Sequence, residues 1–542
     1  MSHRHHRGSM SGLAAAGASM LMLASTGDRV NAQAFANVKN ALVDYSRSDV
    51  APHTSCADLA KFKGKEIVQL DARDVAASAE APAHCRVSGL LAPEIGFEVN
   101  LPARWNGRFY MIGNGGHAGE APDDPGRAAQ RAGALQLGFA IASTNTGHDG
   151  RKEPQATFVM SDPQKAIDYA YRAVHLTATT AKRVANEYYA KAVERSYWNS
   201  CSNGGRQGLI EAQRYPEDFD GIVANAPWVD QTGFTIGAMW NQRALVDAPV
   251  PVEKLALVAE AVMAKCDRID GLADGLIDDP RRCDFDPSRD VPACGGGTSS
   301  PRCLTPAEAR TLEKVYGGVV SRGQPFFPGF MPGSEAVVAA PGPNAPSASG
   351  WLNLIVPRQA DQKPADFSLA ESTMKYLVFP KPQPDYDFRK FDFDRDVDLL
   401  ERWGKTANAN NPDLSGFRKR GGKLIVTYGW ADAILQPMMG VKYFERALEK
   451  NGPKTTEFFR LFMVPGMAHC GGGVGPDRND AVTAVIDWVE KGKAPDSLVA
   501  SKVTNGQVVR TRPLCPYPQV ARYSGSGSID EAANFRCVAP GR

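Results

Sequence analysis

Short apolar runs recur along the chain, each bounded by glycine or small polar residues and most followed by a longer stretch with apolar positions every three or four residues. Residues 108–113, 139–143, 197–198, 221–225, 424–428 and 458–464 read as buried strands. Residues 166–191, 206–213, 438–450 and 481–491 read as helices. Strands alternating with helices predict a parallel sheet covered by helices on both faces, an α/β fold. Between about residues 229 and 414 the texture changes to short helices, many prolines and Gly/Pro/Ser stretches such as 340–350. A break of that length predicts an inserted lid over residues 229–410, with residues 35–228 and 411–542 forming the catalytic domain.

The first 34 residues have a leader's pattern. Basic residues precede Leu13, an apolar and small stretch runs to Ser25, and Ala32-Gln33-Ala34 offers a cleavage site. A signal peptide over residues 1–34 predicts a secreted or periplasmic protein. No later uncharged apolar run reaches the roughly 18 residues of a membrane span. Lys plus Arg number 62 against 60 Asp plus Glu, a net charge of +2, which gives no electrostatic reason to expect nucleic acid or an anionic membrane as partner. All ten cysteines lie beyond the leader and none forms a Cys-x-x-Cys pair, so they read as disulfides, with hundreds of possible pairings.

The chemistry concentrates at Ser196-Tyr-Trp-Asn-Ser-Cys-Ser-Asn-Gly-Gly-Arg206. A strand, a sharp turn of small residues and a helix would lift Ser202 out of the backbone, as in the Gly-x-Ser-x-Gly nucleophile elbow, here with Ser200 and Gly204 at the flanking small positions. The competing reading is a glycine-rich turn with a surface serine. A serine nucleophile needs a base, and histidine is the usual one. Of nine histidines, His175 sits within a helical run, while His117 and His148 follow strands and remain candidates. His469 fits best, because it follows the strand at 458–464 and comes late in the chain, as the order Ser, Asp, His requires. Asp432 supplies the carboxylate, in the turn after the strand at 424–428; the alternative is a helix-capping aspartate.

Two further loops carry possible functions. Asn114-Gly-Gly-His-Ala-Gly119 follows an early strand and has the glycines that let amides approach an oxyanion, which makes the Gly116 and Asn203 amides the candidate donors and leaves His117 as a loop histidine. Cys266 to Asp279 is dense in carboxylates and glycines, with Asp267, Asp270 and Asp274 spaced to wrap a hard cation. It lacks the EF-hand order, and a solvated acidic loop is the other reading.

Cys201-Ser202 with Asp432 and then His469-Cys470 resembles the tannase and feruloyl esterase family, over about residues 56–537. The resemblance implies an α/β-hydrolase fold with a large inserted lid. It implies disulfides Cys56–Cys85, Cys201–Cys470, Cys266–Cys283, Cys294–Cys303 and Cys515–Cys537. It also implies a structural Ca2+ in the lid, held by Asp267, Asp270 and Asp274 side chains and the Leu272 and Leu276 carbonyls. The implied reaction is hydrolysis of small aromatic-acid esters (gallic, hydroxycinnamic or terephthalic) through an acyl-enzyme on Ser202. Lid aromatics Trp240, Trp351, Tyr376 and Phe379 could stack on such a ring, although most should be core, and Arg358 could pair with a free substrate carboxylate. Family members that cleave terephthalate monoesters carry glutamate where this chain has Asn203, a departure from that alternative. A serine peptidase, or a secreted binding protein on the same fold, are the remaining classes.

Overall fold

The computed structural model describes residues 34–295, 299–335, 350–359 and 362–540. All but the last residue of the leader predicted over 1–34, and most of the Gly/Pro/Ser stretch at 340–350, lie outside them.

The apolar runs become the middle of a nine-stranded sheet. Its strands are β1 (Ile67–Val75), β2 (His84–Leu91), β3 (Ile95–Pro102), β4 (Arg108–Ile112), β5 (Ala140–Thr144), β6 (Arg195–Cys201), β7 (Gly221–Asn225), then, beyond the small ribbon β8 (Val319–Ser321) and β9 (Gln324–Phe327), β10 (Lys423–Gly429) and β11 (Phe459–Val464). The order across the sheet is β1-β2-β3-β5-β4-β6-β7-β10-β11. From β5 to β11 every neighbouring pair is parallel, whereas β1, β2 and β3 form an antiparallel meander at one edge. Strands β5 and β7 are buried at every residue, which is why they read as unbroken apolar runs rather than as alternation.

β7 and β10 are hydrogen-bonded neighbours, from Gly221 beside Lys423 to Asn225 beside Thr427. The long intervening segment therefore leaves the sheet and returns without disturbing its order. It contains the helices Gln231–Asp247, Leu255–Cys266, Pro306–Gly317 and Ala365–Thr373 and the β8–β9 ribbon. A hydrophobic cluster of its own includes Val258, Val262, Leu304, Leu312, Trp351 and Ile355. The fold is that of an α/β-hydrolase. After β11 and the helix Ala481–Lys491 come two antiparallel hairpins, β12 (Leu498–Thr504) with β13 (Gln507–Leu514), and β14 (Val520–Tyr523) with β15 (Phe535–Val538).

The helix expected over 166–191 runs in three pieces: Gln164–Ile167, a π-helical turn Asp168–Arg172, and Ala173–Tyr189. The widened turn holds Tyr169, which is fully buried. Five disulfides join Cys56–Cys85, Cys201–Cys470, Cys266–Cys283, Cys294–Cys303 and Cys515–Cys537, the pairings the resemblance implies. Among the described residues no helix is long and apolar enough to cross a membrane.

Candidate active site

The carboxyl ends of β4, β6, β10 and β11 carry the loops singled out in the sequence, the edge where open parallel sheets place their ligands. Ser202 stands between β6 and the helix Asn203–Arg214 with φ 62° and ψ −125°. A non-glycine residue in so sparsely populated a region costs on the order of 1–3 kcal/mol, and surrounding bonds must hold it there. Here the Ser202 amide donates to the Asn225 carbonyl at 3.0 Å, and its own carbonyl accepts from the Arg206 and Trp228 amides at 3.0 and 3.1 Å. Strand and helix nearly touch: a Cβ on Gly204 would lie 1.9 Å from Ser200 Oγ. That contact explains why both flanking positions are small.

Asp432 is fully buried and His469 about one-fifth exposed, with His469 Nδ1 and Asp432 Oδ2 2.8 Å apart. The other carboxylate oxygen accepts from the Ile434 and Leu435 amides at 3.0 and 2.9 Å, so the group is gripped from both sides. These amides belong to the turn itself rather than to the following helix Met438–Asn451, so Asp432 is not that helix's cap. The two loops are laced together by the Trp430 amide on the Val464 carbonyl at 2.9 Å and the Ala431 amide on the Met467 carbonyl at 3.0 Å. The Cys201–Cys470 disulfide, with a Cα separation of 5.9 Å, then ties the residue before Ser202 to the residue after His469. A ring nitrogen of His469 lies within 4.8 Å of both sulfurs, which are spent on each other and offer no metal ligand. Among the described residues Ser202 Oγ makes no hydrogen bond to His469; such bonds often tighten only once substrate binds.

Gly116, at φ 49°, takes a left-handed conformation that glycine adopts without strain, and Asn203 opens the elbow helix, where backbone amides have no helical acceptor. A hydrogen-bonded chain not foreseen from the sequence joins these two residues. Tyr169 OH lies 3.2 Å from the Gly116 carbonyl and 3.3 Å from Asn203 Oδ1, and it accepts from Gln231 Nε2 at 2.7 Å. Trp403 Nε1 in turn donates to Gln231 Oε1 at 2.8 Å. Arg206, fully buried, donates to Asn203 Oδ1 at 2.6 Å and to the carbonyls of Tyr169, Ala170 and Ala407, and its guanidinium lies over the Tyr169 ring at 4.9 Å from the ring centre.

His117 is buried, bridging Gln155 Oε1 at 3.0 Å and Thr373 Oγ1 at 2.9 Å, and burial holds its imidazole down at about 4. His148 is also buried, and burial again lowers it to about 4; neither ring nitrogen has a partner among the described residues. Only His469 among the three candidates is coupled to a carboxylate at this edge.

The chain matches the family described as tannase and feruloyl esterase over residues 79–538. The chain belongs to that family. It is 35% identical over 531 residues to the mono(2-hydroxyethyl) terephthalate hydrolase of Piscinibacter sakaiensis, covering 87% of each chain. It is similar in structure to feruloyl esterase B from Aspergillus oryzae, with TM-score 0.74 and 27% identity over 89% of this chain and 100% of that one. The tannin acyl hydrolase of Aspergillus niger shares the fold at TM-score 0.68 and 21% identity, over 87% of this chain and 90% of that one. At the level of this family the protein is a carboxylic ester hydrolase.

In this esterase the acidic loop after Cys266 is tightly wound. Asp267 Oδ1 accepts from the Asp274 and Gly275 amides at 3.2 and 2.9 Å, and Asp270 Oδ1 from the Leu272 amide at 2.9 Å. Asp274 pairs with Arg512 of β13, both buried, and its carbonyl accepts from Arg510 at 3.0 Å. Burial and the neighbouring carboxylates raise Asp270 and push Asp278, unremarked in the sequence, up to about 8. The donor set is all oxygen, the kind a hard divalent cation takes, but Asp274 spends a carboxylate oxygen on Arg512, and among the described residues the Asp267, Asp270 and Asp274 carboxylates are not gathered into one metal-sized cluster.

Proposed function

We propose that the chain is a secreted serine esterase that cleaves aromatic-acid esters, using Ser202 as nucleophile, His469 as base and Asp432 to orient it. The observation that carries this reading is the Asp432–His469 couple tethered beside the strained Ser202 by Cys201–Cys470. Ser202 Oγ attacks the ester carbonyl and its proton passes to His469 Nε2, while Nδ1–H goes on donating to the Asp432 carboxylate, which stabilises the imidazolium. The Gly116 and Asn203 amides receive the oxyanion, a contribution of roughly 3–4 kcal/mol per donor in other hydrolases. The alcohol departs with the proton from Nε2, and water releases the acid by the same steps in reverse. The five disulfides support an oxidising destination.

The inserted segment over residues 229–410 is proposed as the lid that shapes acyl preference. Leu369 supports this, since a Cβ on Gly116 would lie 3.7 Å from its Cδ2, and Thr373 reaches His117. Of the candidate aromatics, Trp351 is core, with Nε1 on Ser334 Oγ, while Tyr376 and Phe379 are half-buried. Arg358 is exposed. Relatives named for hydroxycinnamate and terephthalate esters support the aromatic class.

The test is hydrolysis of methyl ferulate, methyl gallate, mono(2-hydroxyethyl) terephthalate and p-nitrophenyl acetate by the oxidised protein. Turnover of one aromatic ester well above the acetate is expected. Acetate cleavage alone would remove the aromatic preference, and cleavage of peptides without esters would make the site a peptidase.

Tyr169→Phe isolates the hydrogen-bonded chain behind the oxyanion donors. We expect kcat to fall about 10- to 100-fold with KM changed less than about twofold, since a small misplacement of donors acts on the transition state. A matched rise in KM at constant kcat would assign Tyr169 to ground-state binding instead.

Asp267, Asp270 and Asp274, with the Leu272 and Leu276 carbonyls, would hold Ca2+ as a structural clamp. At free calcium 100-fold above Kd the ion adds about 2.7 kcal/mol of stability. Chelation should therefore lower the unfolding temperature and calcium restore it, with Asp267→Asn insensitive to either; indifference of the wild type to chelator would remove calcium from this loop.

A further inference from the structure

At the far end of the nucleophile's helix from Ser202 lies a second constellation that the ester chemistry does not use. Glu211 sits in the last turns of Asn203–Arg214, Asp218 in the loop leading to β7, and His175 in Ala173–Tyr189. His175 Nδ1 and Asp218 Oδ2 are 2.6 Å apart, and the imidazole stacks on Tyr215 with ring centres 3.9 Å apart, which fixes its plane. One ligand atom from each of His175, Glu211 and Asp218 falls within a common 4.8 Å. Glu211 is 1% exposed, and neither of its carboxylate oxygens has a hydrogen-bond partner among the described residues. A buried carboxylate with nothing donating to it, aimed at a second carboxylate, is costly unless a cation or a proton fills the gap. The cation at hand serves poorly: Lys182 Nζ donates to the Asp218 carbonyl at 2.8 Å and stands 3.9 Å from its Oδ1. An imidazole and two carboxylates are the donor set that suits zinc and its first-row neighbours rather than calcium, and three protein ligands leave one position for water on the side where His175 is partly exposed.

We propose that His175, Glu211 and Asp218 form a binding site for a divalent transition-metal ion of the zinc class, one that clamps the far end of the nucleophile's helix to Ala173–Tyr189. The site is independent of the aspartate loop after Cys266 and of the ester chemistry. Its ligands come from two helices that flank β6 and from the loop leading to β7, so an ion there would add Glu211 of the nucleophile's helix to the His175–Asp218 and Lys182–Asp218 bonds that already tie Ala173–Tyr189 to that loop.

The experiment uses the full chain, stripped of metal by chelation and then kept in excess calcium, and titrates it with Co2+ and Zn2+. One equivalent of Co2+ should bind with a visible d–d spectrum and a Kd in the micromolar range or tighter, and Zn2+ should displace it and raise the unfolding temperature. Glu211→Gln, which keeps the side chain's shape, and His175→Ala, at a partly exposed position, should each weaken Co2+ binding more than about 100-fold, beyond the 10–100-fold typical of losing an outer-shell partner. Circular dichroism of both variants checks that they are folded. Failure of the folded wild type to bind either ion at about 100 μM, or binding unchanged in both variants, would overturn the proposal and leave Glu211 and Asp218 as a pair sharing a proton.

Discussion

Ser202→Ala is expected to lower kcat on an aromatic ester by about 10⁴- to 10⁶-fold, with the unfolding temperature unchanged. The size follows from the unit behaviour of a nucleophile, base and carboxylate, where removing the nucleophile leaves only oxyanion stabilisation and binding. Stability is untouched because alanine keeps the Cβ and with it the strained backbone at φ 62°. Ser202→Gly separates the two effects. It is equally inactive, yet it releases on the order of 1–3 kcal/mol of backbone cost against roughly 0.5–1 kcal/mol of added chain entropy, so it should unfold no earlier than the alanine variant and by most of that range later. Single-turnover kinetics and thermal unfolding of the three proteins check both halves. More than about 1% of wild-type activity in Ser202→Ala would remove Ser202 from the chemistry.

The parts of the fold that spoke clearly in the sequence are those buried on both faces. β7 and β10 carry apolar centres, Ile222-Val-Ala224 and Leu424-Ile-Val426, and are almost wholly buried, so burial and pattern carry the same message. The edge meander was silent because β1 carries Asp71, Arg73 and Asp74 on a half-exposed ribbon, and the hairpin β12–β13 exposes Val508 and Val509, so neither alternates cleanly. At the site, chain order and the paired cysteines made Ser202, Asp432 and His469 legible. Tyr169, Gln231 and Trp403 were not, since nothing local distinguishes a tyrosine in a helix or a tryptophan in a short helix of the inserted segment from core. Arg206 lies inside the motif itself, yet an arginine one turn into a helix reads as a solvated charge until its full burial is seen. His175 likewise reads as a helix-face histidine, and only the turn after the next helix brings Asp218 to it.

Breaking the disulfide beside the nucleophile should cost both stability and turnover, and the two losses have different origins. Cys201 and Cys470 are separated by 269 residues, the longest span of the five bridges. A loop of that length corresponds to roughly 5.6 kcal/mol of constraint on the unfolded chain in the entropic account, an upper bound in practice. Cys515–Cys537 spans 22 residues and lies outside the loops that carry Ser202 and His469, so it serves as the control. The double variant Cys201→Ala/Cys470→Ala should lose about 10- to 100-fold in kcat even well below its unfolding temperature, because the His469 loop keeps its hydrogen bonds to the Asp432 loop but loses its tie to β6. The control Cys515→Ala/Cys537→Ala should unfold earlier while keeping kcat within about twofold. If both pairs lower kcat alike, the bridge beside Ser202 acts only through global stability; if only the first does, it positions the base against the nucleophile.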